Sequence, residues 1–97
     1  MTLTPMAEEV AELLRRRGDT IVVAETSTGG LISSALLAVP GASAYYKGGS
    51  VLYTYESRKK LLGIKGQDVE GLAPMSEAMV MAFAQKAQAQ FASTWAI

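Results

Sequence analysis

Hydrophobic positions along the chain recur at two spacings, and the change between them marks out the elements. Met6, Val10, Leu13 and Leu14 fall on one face at helical spacing. Thr4 is placed to cap that helix and Pro5 to take its first position. Glu8 and Glu9 fall in the first turn, where the helix dipole favours acid, and Arg15, Arg16 and Arg17 suit its negative end. Gly18 supplies a left-handed stop. The arginine run reads as a solvated helix end, with an anion site as the alternative. Residues 20–25, "TIVVAE", place three β-branched residues in succession, as in a parallel strand buried on both faces. A second helix is predicted over 30–39, ended by Pro40 and Gly41. A second strand is predicted over 48–55, with Val51, Tyr53 and Tyr55 on one face and Leu52 on the other. A short helix over 56–62 should end at Gly63. A loop-like stretch leads to a long helix over 75–91, with Met79, Phe83, Ala87 and Phe91 as its buried stripe. Its methionines read as core filler rather than a metal site. The closing "TWAI" looks like the start of a third strand.

Helix and strand alternating in this order predicts an α/β fold, a layered domain with a mostly parallel sheet. Two strands and a stub make a small sheet for three helices. The sheet is therefore expected to be incomplete as given, truncated after the third strand begins, or completed by another chain or segment.

Composition narrows the chemistry. The 97 residues allow one domain. Nearly half are apolar, 49%, and mean hydropathy is +0.19, enough for a globular core. Nine basic residues balance nine acidic ones, so no basic field exists to hold a nucleic acid or an anionic membrane. Cysteine and histidine are absent. That removes disulfides, thiol chemistry, the usual zinc sites and the usual imidazole base. Any reaction must use hydroxyls, carboxylates, Lys, Arg or Tyr. The first residues lack the pattern of a secretory signal, and no run approaches the roughly 20 apolar residues of a membrane span. The expected location is the cytoplasm.

Two stretches carry candidate chemistry. The first, "ETSTGG", 25–30, lies at the C-terminal end of the first strand and opens a helix. Ligands collect at such strand ends in parallel sheets, and free amides at a helix start can hold an anion. A hydroxyl in a strand-to-helix turn can also be a nucleophile. The sequence matches none of the G-x-S-x-G, G-x-G-x-x-G or Walker patterns. A plain helix cap with a glycine turn explains it as well as a ligand site does. The second stretch, "YYKGGSVLYTYESRKKLLGI", surrounds the second strand. If the strands are parallel neighbours, Tyr53, Tyr55 and Arg58 face 26–28. Lys59 and Lys60 are candidate bases by type, with an exposed helix face as the alternative.

Together the two stretches resemble one family. "VVAETSTGGLISSALLAVPGASAYYKGGSVLYTYESRKKLLGI" is similar to the C-terminal domain of CinA, also found alone as the nicotinamide-nucleotide amidase PncC. The family pattern runs A-E-S-x-T-G-G, then P-G-S-S, an aromatic pair, G-G-x-x-x-Y, a polar residue, N-E, one residue and Lys. The later "APMSEAMVMAFAQKA" is similar to the family's G-A-V-S-E helix region. The resemblance spans essentially the whole chain, read as residues 1–97 of such a domain. It implies an α/β/α layered fold and hydrolysis of nicotinamide mononucleotide to nicotinic acid mononucleotide and ammonia. It implies a serine nucleophile paired with a lysine, with no metal and no cofactor. The family continues past "WAI" with a strand, a second glycine-rich loop, a further strand and a closing helix.

Carried across, Glu25, Thr28, Gly29 and Gly30 match the first motif and are candidate substrate-binding residues. Gly41, Ser43, Gly49, Tyr53 and Glu56 match the second, with Ser43 and Gly49 also candidates for binding. The family serine falls on Thr26, Ser27 follows it, and the family lysine falls on Arg58. The candidate catalytic set is Thr26, Ser27, Tyr53 and Arg58. Arginine stays protonated and cannot act as a general base, so Arg58 would stabilise charge; Lys59, one position on, is the alternative lysine. Three readings follow: an amidase, a non-catalytic module holding a nucleotide phosphate on the 28–30 backbone, and a degenerate fragment that oligomerises. The expected ligand is a small nucleotide, and the expected assembly a homo-oligomer.

Overall fold

A computed structural model describes residues 3–97. It contains four α-helices and a three-stranded parallel sheet: α1 (Thr4–Arg17), β1 (Ile21–Glu25), α2 (Leu31–Leu37), β2 (Tyr46–Val51), α3 (Tyr55–Leu62), α4 (Glu77–Phe91) and β3 (Trp95–Ala96). The strand order is β2-β1-β3, which puts β1 in the middle. Its side chains alternate between two cores. Ile21 and Val23 pack with Ala7, Ala11, Leu14, Leu36 and Tyr45 under α1 and α2. Val22 packs with Leu52, Leu62, Met79, Phe83 and Ala87 under α3 and α4. The result is an α/β/α sandwich, and the continuous apolar run of β1 follows from burial on both faces.

The helix ends are set by local chemistry. Gly18 and Gly63 adopt left-handed conformations as the C-caps of α1 and α3. Ser76 accepts from the Met79 amide and caps α4, so the helix begins at Glu77 rather than at Met75. Thr4 is the first helical residue of α1, Leu3 occupies the cap position, and no acidic residue lies in the first turn. The buried stripe of α1 is Ala7, Ala11 and Leu14, with Val10 half-buried. Met6 and Leu13 are exposed. Small alanines let the helix lie close against the sheet, and that rotates the larger side chains outward.

The second strand departs most from expectation. It spans Tyr46–Val51, not 48–55. Leu52 is fully buried, and the chain then leaves the sheet. Thr54 and Ser57 form a reciprocal capping box that starts α3 at Tyr55. Ser57 Oγ also accepts from the amides of Tyr53 and Thr54, at 3.0 and 2.9 Å. Tyr53 and Tyr55 are therefore exposed, not aligned on a strand face. The glycines of β2 have a packing reason. A Cβ on Gly48 would lie 3.2 Å from the Phe91 ring, and one on Gly49 would collide with the hydroxyls of Tyr46 and Ser33. Phe91 itself is partly exposed, the weakest member of its predicted stripe.

Candidate functional site

The turn after β1 is organised by one buried carboxylate. Glu25, only 2% exposed, ends the strand with its side chain under the start of α2. It accepts from Thr28 Oγ1 at 2.8 Å and from the amides of Gly30, Ile32 and Ser33 at 3.2, 2.9 and 3.0 Å. Burial pushes this carboxyl up, but the Ser33 and Ile32 amides and the Thr28 and Ser33 hydroxyls outweigh it and hold it below the usual glutamate value. Tyr46 extends the network by donating to Ser33 Oγ at 2.8 Å. Gly29 and Gly30 take positive φ, 60° and 101°, which lets the chain turn back over the carboxylate.

This arrangement corrects one expectation. The amides at the start of α2 do not stand free for a phosphate, because the protein's own Glu25 fills that position. The Gly29 and Leu31 amides are also engaged, by the carbonyls of Thr26 and Thr28. Glu25, Thr28, Gly29 and Gly30 thus build the turn. The turn leaves the Thr26 and Ser27 side chains at its crest. The amides of Ser27 and Thr28 donate to no group among the described residues.

Two cavities meet at that crest. The smaller, about 240 Å³, is lined by Thr26, Ser27, Tyr53 and Arg58 together with Met75, Met79, Val80 and Phe83. The larger, about 450 Å³, shares Thr26 and Ser27 and adds Thr28, Ile32, Glu77, Ala96 and Ile97 among others. The four candidate catalytic residues therefore share one cavity at the C-terminal edge of the sheet, where parallel α/β domains bind ligands. Parallel pairing of β1 with β2, with Glu25 opposite Val51, brings them together. Arg58, in the first turns of α3, lies over the Phe83 ring at 5.0 Å and the Tyr55 ring at 5.4 Å. Its Nε is buried with no hydrogen-bond partner among the described residues.

Other candidates lie elsewhere. Ser43 sits in the turn before β2, at the opposite edge of the sheet from Thr26. Gly49 makes room for the Tyr46 hydroxyl inside the Glu25 network. Lys59 and Lys60 are exposed and line neither cavity, and Lys60 pairs instead with Glu56 at 3.4 Å. The sequence reading missed Glu77, Val80 and the part Phe83 plays beneath Arg58. The signal for Glu77 was its place at the start of a helix that must return to the same sheet edge. Among the described residues no group of three or more acidic side chains is placed to hold a metal, and no helix is long and apolar enough to cross a membrane.

Comparison with known proteins gives this geometry its relatives. The family model described as "CinA C-terminal domain" matches residues 3–97. A CinA-like protein of Prochlorococcus marinus is 39% identical over 95% of this chain, and one of Gloeobacter violaceus is 38% identical over the same share. The chain spans about a fifth of the length of these curated relatives, 21% and 22%. Among solved structures, the competence damage-inducible protein A of Klebsiella pneumoniae superposes with a TM-score of 0.87 at 27% identity, covering 99% of this chain and 60% of that one. A competence/damage inducible protein of Agrobacterium tumefaciens gives 0.85 at 26% identity, covering 97% and 57%. With a family match over all but two residues, a shared α/β/α sandwich and the two motifs set around one sheet edge, the chain belongs to the CinA C-terminal domain family.

Proposed function

We propose that this chain forms part of a nicotinamide-nucleotide amidase, converting nicotinamide mononucleotide to nicotinic acid mononucleotide and ammonia. The observation that carries the reading is the meeting of Thr26, Ser27, Tyr53 and Arg58 around one cavity. In this reading the hydroxyl of Thr26 or Ser27 attacks the carboxamide carbon. The C–N bond breaks, ammonia leaves with a proton, and water then hydrolyses the acyl-enzyme ester to free the acid. The Ser27 and Thr28 amides and the Arg58 guanidinium are the donors available to the developing oxyanion. Arg58 keeps its proton and cannot activate the nucleophile. Glu25 is committed to the start of α2. Glu77 and Tyr53 are the remaining proton-accepting side chains on the cavity walls that hold Thr26 and Ser27.

Such an enzyme would work in the cytoplasm, in salvage of NAD, and as a homo-oligomer. Exposed Met6, Leu13, Trp95 and Ile97 support the last point, since large apolar side chains left in water favour association. The purified chain with nicotinamide mononucleotide should release ammonia. Thr26→Ala and Ser27→Ala made separately identify the nucleophile as the one whose loss stops release. Absence of ammonia above a buffer control would sink the proposal.

A further inference from the structure

Arg58 is a cation with no counter-ion among the described residues. No ion pair or hydrogen bond joins its side chain to any described residue, and its Nε is shut away from solvent. Its guanidinium is steadied by the rings of Phe83 and Tyr55, at 5.0 and 5.4 Å. Those contacts hold the planar group in place without using its N–H donors. A half-buried arginine so fixed has its donor fork unspent beside a cavity about 240 Å³ in volume. Glu77, on the adjoining cavity, forms no ion pair with it.

The geometry points to Arg58 as a carboxylate-binding residue, which makes this site hold an aromatic acid more tightly than the matching amide. A carboxylate accepts two parallel N–H bonds from a guanidinium and brings the missing charge. A carboxamide offers one acceptor oxygen and no charge, and its NH2 donors face a group that only donates. The site would therefore retain the acid that amide hydrolysis makes and be inhibited by it. This inference rests on the pyridine ligand class of the proposed function. It concerns binding rather than turnover, so the two can fail separately.

The test compares binding of nicotinate with nicotinamide, and of the two corresponding mononucleotides, to the whole chain by calorimetry. Each acid should bind roughly ten- to a hundredfold more tightly than its amide, the range for a hydrogen bond to a charged group. Arg58→Gln should remove the preference, while Arg58→Lys, which keeps the charge but not the fork, should retain part of it. Far-ultraviolet circular dichroism confirms that each variant is folded. Equal affinities for acid and amide, or a preference that survives Arg58→Gln, would overturn the inference. So would Arg58-dependent binding of both mononucleotides but neither free base, which would assign Arg58 to the phosphate.

Discussion

Removing the Glu25 carboxylate should loosen the whole turn that carries Thr26 and Ser27. Glu25 accepts from one hydroxyl and three amides, all between 2.8 and 3.2 Å. Glu25→Ala leaves those three amides without their acceptor and opens space in a buried position. Water can reach part of this turn, because Ser27 to Gly29 are exposed, so the full penalty of three buried orphan donors does not apply. Losing one charge-assisted bond and an N-terminal cap then gives a cost of about 3 kcal/mol. Glu25→Gln keeps the shape and one acceptor oxygen but sets an NH2 against donors, for about 2 kcal/mol. Against a total of roughly 5–10 kcal/mol for a chain of this size, either loss is large. Urea denaturation at neutral pH measures it. A cost below about 1 kcal/mol for Glu25→Ala would refute the capping account. The pH dependence provides an independent check. The folded-state carboxyl titrates below the ordinary 4.5, so its contribution is complete above that value and is lost as pH falls through the folded-state value. The gap between the native chain and Glu25→Gln should accordingly be constant near neutrality and shrink in acid. A gap that widened on acidification would contradict it.

Three other outcomes follow from the same contacts. Gly49→Ala drives a methyl group into the Tyr46 and Ser33 hydroxyls and should cost about 1–3 kcal/mol, read as a lower melting temperature; an unchanged temperature would show that Tyr46 moves aside freely. Ser57→Ala removes the acceptor for the Tyr53 and Thr54 amides and one arm of the capping box, for about 1 kcal/mol in urea, and should fray the start of α3 that carries Arg58. The single tryptophan, Trp95, donates from Nε1 to Asp19 at 2.9 Å. That bond, followed by the Arg17 contact, holds the Asp19 carboxyl below its usual 3.8, so Trp95 fluorescence should titrate below that pH and lose the transition in Asp19→Asn.

The sequence reading succeeded where one residue type has one physical use. Ile21, Val22 and Val23 could be nothing but a two-sided strand once flanked by helices, and Gly18 and Gly63 mark real left-handed stops. It failed where two patterns overlap. Val51, Tyr53 and Tyr55 alternate like a strand, yet Thr54 and Ser57 at capping-box spacing end the sheet first. It also failed where burial is cheap to overlook, since Ala7 and Ala11 carry the packing of α1 while the more hydrophobic Met6 and Leu13 face water. In the site, Tyr53 and Arg58 lie beside Thr26 and Ser27 as parallel strand ends imply, whereas Tyr55, expected with them, lines neither cavity. The occupant of the α2 amides was not, because an acid five to eight residues upstream reaches them only when the glycine pair folds back.

That fold-back also separates holding the turn from doing chemistry at it. A turn that borrowed an outside anion to satisfy its amides would be ordered only when ligand is bound. Here Glu25 supplies the anion, so the crest carrying Thr26 and Ser27 is set in the empty protein. The crest and its neighbour Arg58 thus present two hydroxyls, two amides and a guanidinium, the amides and the guanidinium without partners among the described residues. Phe83 joins the two halves of the design: it is 1% exposed at the centre of the core under α4, and its ring is also the surface on which Arg58 rests. The placement of the one cation lining these cavities is thus fixed by core packing. In the proposed reading, pairing a donor fork held by two rings with a preset turn favours a planar, charged acceptor over a neutral one, and because arginine keeps its proton, position 58 selects a ligand rather than moving a proton.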